Sequence, residues 1–162
     1  MVHLDPMSES QFQAYLSTAV ENYAQEHVKA GDCAPEDALM VAQKDYRELL
    51  PDGLQSKNIF LFSIRDDALD QNPIVGMIWF AAKEGRTAKS AFIYDLRIRE
   101  DLRGKGYGRK AMQKFENLVQ AMGIGRIGLN VFGHRREGVV REDGLSDRRH
   151  RHEQDRGQVI AI

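Results

Sequence analysis

The stretch Arg103-Gly104-Lys105-Gly106-Tyr107-Gly108 constrains this chain more than any other. It stands between the best strand candidate, Phe92 to Ile98, and the best amphipathic helix candidate, Lys110 to Met122. Glycines at alternate positions on a strand-to-helix junction mark a backbone that passes close to a partner with no side chains in the way. At a helix start that partner is commonly a phosphate, because the first N–H groups lack intrahelical acceptors and the helix dipole is positive there. Two well-known phosphate motifs fail on the residues. A P-loop needs G-x-x-x-x-G-K-[ST], and no lysine here is so placed. The dinucleotide fingerprint would need a glycine where Arg109 stands, after a parallel strand pair, whereas the strands ahead of this turn read as antiparallel. A diphosphate cradle, with Lys105 and Arg109 adding charge, and a plain tight turn are the readings left open.

The rest of the chain supplies a platform for that turn. Val2 to Leu4 reads as a short opening strand ended by Pro6. Ser8 and Gln11 form a capping-box pattern, and Phe12, Tyr15, Leu16, Ala19, Val20 and Tyr23 recur at helical spacing. A helix from about Ser10 to Ala30 follows, stopped by Gly31, and a second runs from Pro35 to Leu49. The period then drops to two. Ile59 to Ile64, Ile74 to Ala81 and Ser90 to Arg99 read as an antiparallel meander, with a hairpin turn at Gly85-Arg86. After the glycine turn and its helix, Ile127 to Phe132 is a fourth core strand. The fold class is α/β, a mixed and mostly antiparallel sheet flanked by helices.

Composition narrows the function classes. With 162 residues, 42% hydrophobic, 29% charged and a formal net charge of −1, the chain is one ordinary domain. That balance gives no reason to expect nucleic acid or an anionic membrane as the main partner. No apolar run is long enough to span a bilayer, and no signal peptide is legible at the start, so a cytoplasmic protein is expected. The one cysteine, Cys33, lies in a loop signature and is read as incidental; no metal site is expected.

At this point the residues resemble a family. Arg103 to Gly108 is similar to the R/Q-x-x-G-x-G/A signature of the GNAT superfamily of N-acetyltransferases, and the surrounding element order, over roughly residues 2 to 134, resembles it too. The resemblance implies an N-acetyltransferase that moves an acetyl group from acetyl-coenzyme A to a primary amine, small-molecule or peptide. It implies that backbone groups near Leu96, Arg97 and Ile98 pair with the pantetheine arm. The amides of Gly104, Lys105, Gly106, Tyr107 and Gly108, flanked by Arg103 and Arg109, would hold the pyrophosphate. Asp95, an acid inside an apolar strand, is the candidate general base or substrate contact. By alternation it shares a face with Arg97, and Tyr94 shares the other with Leu96. Trp79 and Phe80 divide between core and pocket wall in an order left open. Glu21, Glu26, Glu36 and Glu48 are either attractors for a cationic substrate or a solvated helix face. The alternative is a non-catalytic coenzyme A-binding or protein-interaction module; a homodimer is left open.

Residues 135–162 depart from the family pattern. They form an atypical charged tail, expected to be disordered or weakly helical. Arg135 stands where the family has asparagine, and no tyrosine follows Tyr107, so the usual leaving-group acid is missing. Reading the codons of Val139 to Leu145 one base out of frame permits Leu-Tyr-Glu-Lys-Met-Gly-Tyr, which resembles the family's continuation. An out-of-frame tail and a native one are both open, and an impaired enzyme with an exposed flank on the fourth strand is the expected consequence.

Overall fold

A computed structural model describes residues 1–71 and 73–129, and the backbone of 158–161. The order is β1 (Val2–Pro6), α1 (Glu9–Ala30), α2 (Ala38–Leu49), β2 (Ile59–Asp66), β3 (Ile74–Glu84), β4 (Lys89–Ile98), α3 (Tyr107–Ala121), β5 (Ile124–Leu129) and β6 (Gln158–Ala161). The strands form one sheet in the order β1-β2-β3-β4-β5-β6, antiparallel throughout except for the parallel β4–β5 pair. The mixed α/β architecture is the one expected, including the capping box at the start of α1, where Ser8 and Gln11 exchange hydrogen bonds of 2.8 and 3.4 Å.

The two faces of the sheet carry different helices, and β3 shows why. Met77 and Trp79 point to the α1–α2 layer, where they meet Phe12, Tyr46 and Leu61. Ile78 and Phe80 point to α3, against Phe115 and Val119. Phe80 and Phe115 are fully buried and pack edge to face at 4.9 Å. Phe80 is therefore core, while Trp79 doubles as core and cavity wall. Alanines let the helices approach: Ala24, Ala38 and Ala42 seam α1 to α2. Cys33 packs at the edge of that seam.

Three differences from expectation matter. The alternation of β4 breaks, because the register shifts between Trp79 and Phe80, opposite Asp95 and Ile93, and leaves Tyr94 as the extra residue of a bulge. Tyr94 therefore joins the α1–α2 side with Asp95 instead of opposing it, while Leu96 packs toward α3. Helix α3 begins at Tyr107, inside the glycine stretch, so Gly108 is helical. Finally, Gln158–Ala161 pairs with Arg126–Leu129, so the flank of β5 carries a strand from a segment that composition assigned to the charged tail. Val159 and Ile160 are β-branched, and a run so short leaves little trace against the charges before it. The frame reading of residues 139–145 lies outside the described residues.

Candidate active site

The sheet opens where β4 passes β5. Parallel pairing runs from Lys89 with Ile124 to Ile93 with Leu129 and goes no further among the described residues. Beyond Ile93, β4 continues to Ile98 with only its β3 side paired among the described residues. Arg99 N–H donates to Val75 O at 2.8 Å, so the two-residue alternation of an antiparallel ladder turns the polar groups of Arg97 and Asp95 toward β3. The N–H and C=O of Leu96 and Ile98 point to the open side. Leu96 and Ile98 side chains pack toward α3, so their place in the site is a matter of backbone.

The glycine turn follows directly. Gly104 and Gly106 hold φ of 76° and 82°, the left-handed region that a Cβ disfavours. Gly106 caps α3, and Lys110 N–H is the first to find an acceptor, Gly106 O at 3.2 Å. The amides of Tyr107, Gly108 and Arg109 are therefore the orphan donors of the helix start. A Cβ built at Gly104, Gly106 or Gly108 meets nothing within 4 Å among the described residues, so each glycine borders open space there. Lys105 and Arg109 are exposed beside it. Arg103 Nε donates to Ile98 O at 3.1 Å and its guanidinium meets Glu100 at 3.6 Å, tying the turn to the end of β4. This donor set and shape fit a diphosphate. Tyr107 differs from the rest. Its hydroxyl donates to Asp66 Oδ2 at 3.1 Å and its ring packs on the buried side of α3, so its side chain anchors the helix.

On the other face of β4 lies a cleft of about 510 Å³, walled by Tyr23 of α1, Tyr46 of α2 and Trp79, Phe92, Tyr94 and Asp95 of the sheet. The bulge makes this wall, since it brings Phe92, Tyr94, Asp95 and Arg97 to one side. Asp95 is held from two directions. Tyr15 donates its hydroxyl to Asp95 Oδ2 at 2.9 Å, and Arg97 Nε reaches the same oxygen at 2.8 Å. The Tyr15 and Tyr46 hydroxyls lie 3.3 Å apart, and the Arg97 guanidinium sits 5.8 Å from the centre of the Tyr15 ring. Burial, and after it the charge of Asp95, pushes the Tyr15 phenol far above its ordinary range, and burial also raises Tyr46. Tyr23, half-buried and near Asp45, is pushed up to about 12. All three stay neutral donors at physiological pH.

Sequence reasoning named Asp95 and Arg97 but counted Tyr15 among the periodic positions of the first helix, which is how a tyrosine at helical spacing reads, and did not single out Tyr46. Of the acidic candidates, Glu26 lines the cleft but is paired with Lys29 at 3.2 Å. Glu48 meets Lys44 at 3.8 Å on an exposed face, and Glu21 and Glu36 are exposed. No group of three or more His, Cys, Asp or Glu that could hold a metal occurs among the described residues.

Comparison with known proteins agrees with this geometry. The sequence model of the acetyltransferase (GNAT) family matches residues 16–141. An uncharacterized N-acetyltransferase of Bacillus subtilis (strain 168), YycN, is 37% identical over 133 residues, which are 82% of this chain and 83% of that protein. A second from the same organism, YdgE, is 29% identical over 136 residues, covering 84% and 85%. The crystal structure of the Bacillus subtilis YycN acetyltransferase superposes with a TM-score of 0.75 at 32% identity, covering 91% of this chain and all of that one. With an open β4 edge, a left-handed glycine turn and these relatives, the chain belongs to the acetyltransferase (GNAT) family and is an acyltransferase.

Proposed function

We propose that this chain transfers an acetyl group from acetyl-coenzyme A to a primary amine. The single observation that carries the reading is that the backbone of Leu96 and Ile98, which faces away from β3 and has no strand partner among the described residues, runs into the donor-rich turn Gly104–Gly108, with the Asp95 cleft on the adjoining face. An elongated donor with a diphosphate at one end and a thioester at the other matches that order. The turn amides, with Lys105 and Arg109, would hold the diphosphate, and Leu96 and Ile98 would accept the amide-bearing arm as an added strand.

Bound there, acetyl-coenzyme A supplies an activated thioester carbonyl. The residues of the chain do the rest. The cleft takes the amine, whose ammonium must lose a proton before its nitrogen can attack. Among the described residues, Tyr15 and Arg97 both contact Asp95 through Oδ2, which leaves Oδ1 to receive that proton, directly or through one water. Tyr15 and Arg97 fix the carboxylate so that the acceptor meets a prepared group. As the new C–N bond forms and the C–S bond breaks, the leaving thiolate is protonated from solvent or from the acceptor's own proton. The aromatic walls limit water around the reacting atoms.

The test is to incubate the chain with acetyl-coenzyme A and a panel of primary amines, following thiol release and the mass of the product. Amine-dependent thiol release that Asp95→Asn reduces by about tenfold or more supports the reading. Binding of acetyl-coenzyme A without thiol release across the panel contradicts it and favours a non-catalytic coenzyme A-binding module.

A further inference from the structure

The sheet carries a second cavity beside the cleft, and its charge is unbalanced. It measures about 280 Å³ and is lined by Lys83, Arg86 and Thr87 of the β3–β4 hairpin, Ser90 and Phe92 of β4 and Arg126 of β5, among others. The strand register explains the cluster. Lys83 pairs with Ser90, and Ser90 pairs with Arg126, so the three stand in one row across β3, β4 and β5 and share a face. The parallel row two residues along is Ala81, Phe92 and Gly128, on the same face. Phe92 walls both this cavity and the Asp95 cleft. Two features hold the shared ring and its cation in place. The Lys83 ammonium lies 4.7 Å from the centre of the Phe92 ring, and a Cβ at Gly128 would stand 3.2 Å from that ring, so glycine there leaves it room.

Pairing separates the two cavities. In the cleft each cation has a carboxylate: Lys29 with Glu26 at 3.2 Å, Arg97 with Asp95 at 2.8 Å, Arg103 with Glu100 at 3.6 Å. In the second cavity Lys83, Arg86 and Arg126 have none among the described residues. The nearby Glu84 is taken by Lys89 at 3.2 Å. Three cations gathered around a concave site repel one another, and an anion seated between them relieves that repulsion.

We infer that Lys83, Arg86 and Arg126 form the anion subsite of the acceptor, so that the preferred acceptor is a primary amine carrying a carboxylate or phosphate at its far end. The inference rests on the transferase reading above and names its substrate class. Along β4, Ser90 to Asp95 spans about 16 Å at ~3.3 Å per residue. The reach of the basic side chains and of the Asp95 carboxyl shortens the gap between amine and anion to roughly 10 Å. An extended chain of about eight carbons, or a short acidic peptide presenting its amino terminus, bridges it.

The probes are matched amines of that length: aminooctanoate, aminoheptyl phosphate and the neutral aminooctanamide. Their affinities are measured by calorimetry in the presence of coenzyme A, which carries no acetyl group, and their rates with acetyl-coenzyme A. The native chain is expected to bind an anionic amine about tenfold or more tightly than the amide. Arg86→Glu and Arg126→Glu, both at exposed positions, are expected to abolish or invert that preference. The carboxylate and phosphate arms show which anion is favoured. Equal affinity for charged and neutral amines, no binding of any of them, or a preference that survives both substitutions overturns the inference. Selective binding without turnover overturns the transferase reading and leaves the subsite standing; equal turnover of charged and neutral amines does the reverse.

Discussion

Gly108 separates a glycine kept for binding from one kept for folding. It is the second residue of α3, it does not have the positive φ of Gly104 and Gly106, and an added Cβ meets nothing within 4 Å among the described residues. Folding alone gives no reason for glycine here. In a helix interior alanine is favoured over glycine by about 1 kcal/mol, and in a first turn by about half that, chiefly through backbone entropy. Gly108→Ala is therefore expected to raise the melting temperature of the ligand-free protein by about 1–2 °C, taking 2–4 °C per kcal/mol for a domain of this size. The same methyl group stands among the donors of the turn, so acetyl-coenzyme A affinity should fall about tenfold or more, equivalent to ~1.4 kcal/mol. Thermal melts and calorimetric titration on the same samples read both quantities. A stabilised variant with undiminished affinity would refute the cradle. Gly106→Ala makes a poorer test, because φ of 82° costs an L-residue about 1–2 kcal/mol and confounds the two effects.

The other predictions concern held carboxylates. Tyr15→Phe removes the hydroxyl that donates to Asp95 at 2.9 Å, a hydrogen bond to a charged group worth about 1.5–3 kcal/mol. Transfer rates should drop by about tenfold or more while acetyl-coenzyme A affinity stays unchanged, since Tyr15 touches neither the β4 edge nor the turn; an unchanged rate would remove Tyr15 from the mechanism. Asp66 gives a pH dependence. The hydrogen bond from the Met1 ammonium, then that from Ala68 N–H, holds its carboxyl at about 2, below the ordinary 3.8. A depressed carboxylate stabilises the fold above its unfolded pKa, and that contribution is lost as pH falls through 3.8 toward 2. Melting temperature should fall across that window, and Asp66→Asn should flatten this part of the profile; an unaltered acid limb would exclude Asp66 as its source.

Much of the fold was legible because periodicity is a local property. The α1 face from Phe12 to Tyr23, the capping box and the β3–β4 hairpin needed only spacing and turn chemistry. What escaped depends on register between strands. The Tyr94 bulge arises from how β4 meets β3, and nothing in Phe92-Ile93-Tyr94-Asp95 announces where the alternation will slip. The same holds for the row Lys83–Ser90–Arg126, whose members are far apart in sequence and become neighbours only through pairing. Tyr15 reads as an apolar position because a phenol ring suits a core. The role of Tyr15 comes from its hydroxyl, which donates to Asp95 across 80 residues of chain and lies 3.3 Å from the Tyr46 hydroxyl of the second helix. The backbone half of the site was visible early for the opposite reason. Glycines at alternate positions are chosen for conformation, and conformation is written residue by residue.

Amide hydrogen exchange across β4 and the glycine turn, with and without acetyl-coenzyme A, tests the central claim most directly. Ligand should slow exchange at Leu96, Ile98 and the first amides of α3 at Tyr107 and Gly108. It should leave Asp95 and Arg97 unchanged, because they are already turned to β3. Protection confined to other segments, or an equal response at Asp95 and Arg97, would contradict an added strand on the open edge of β4.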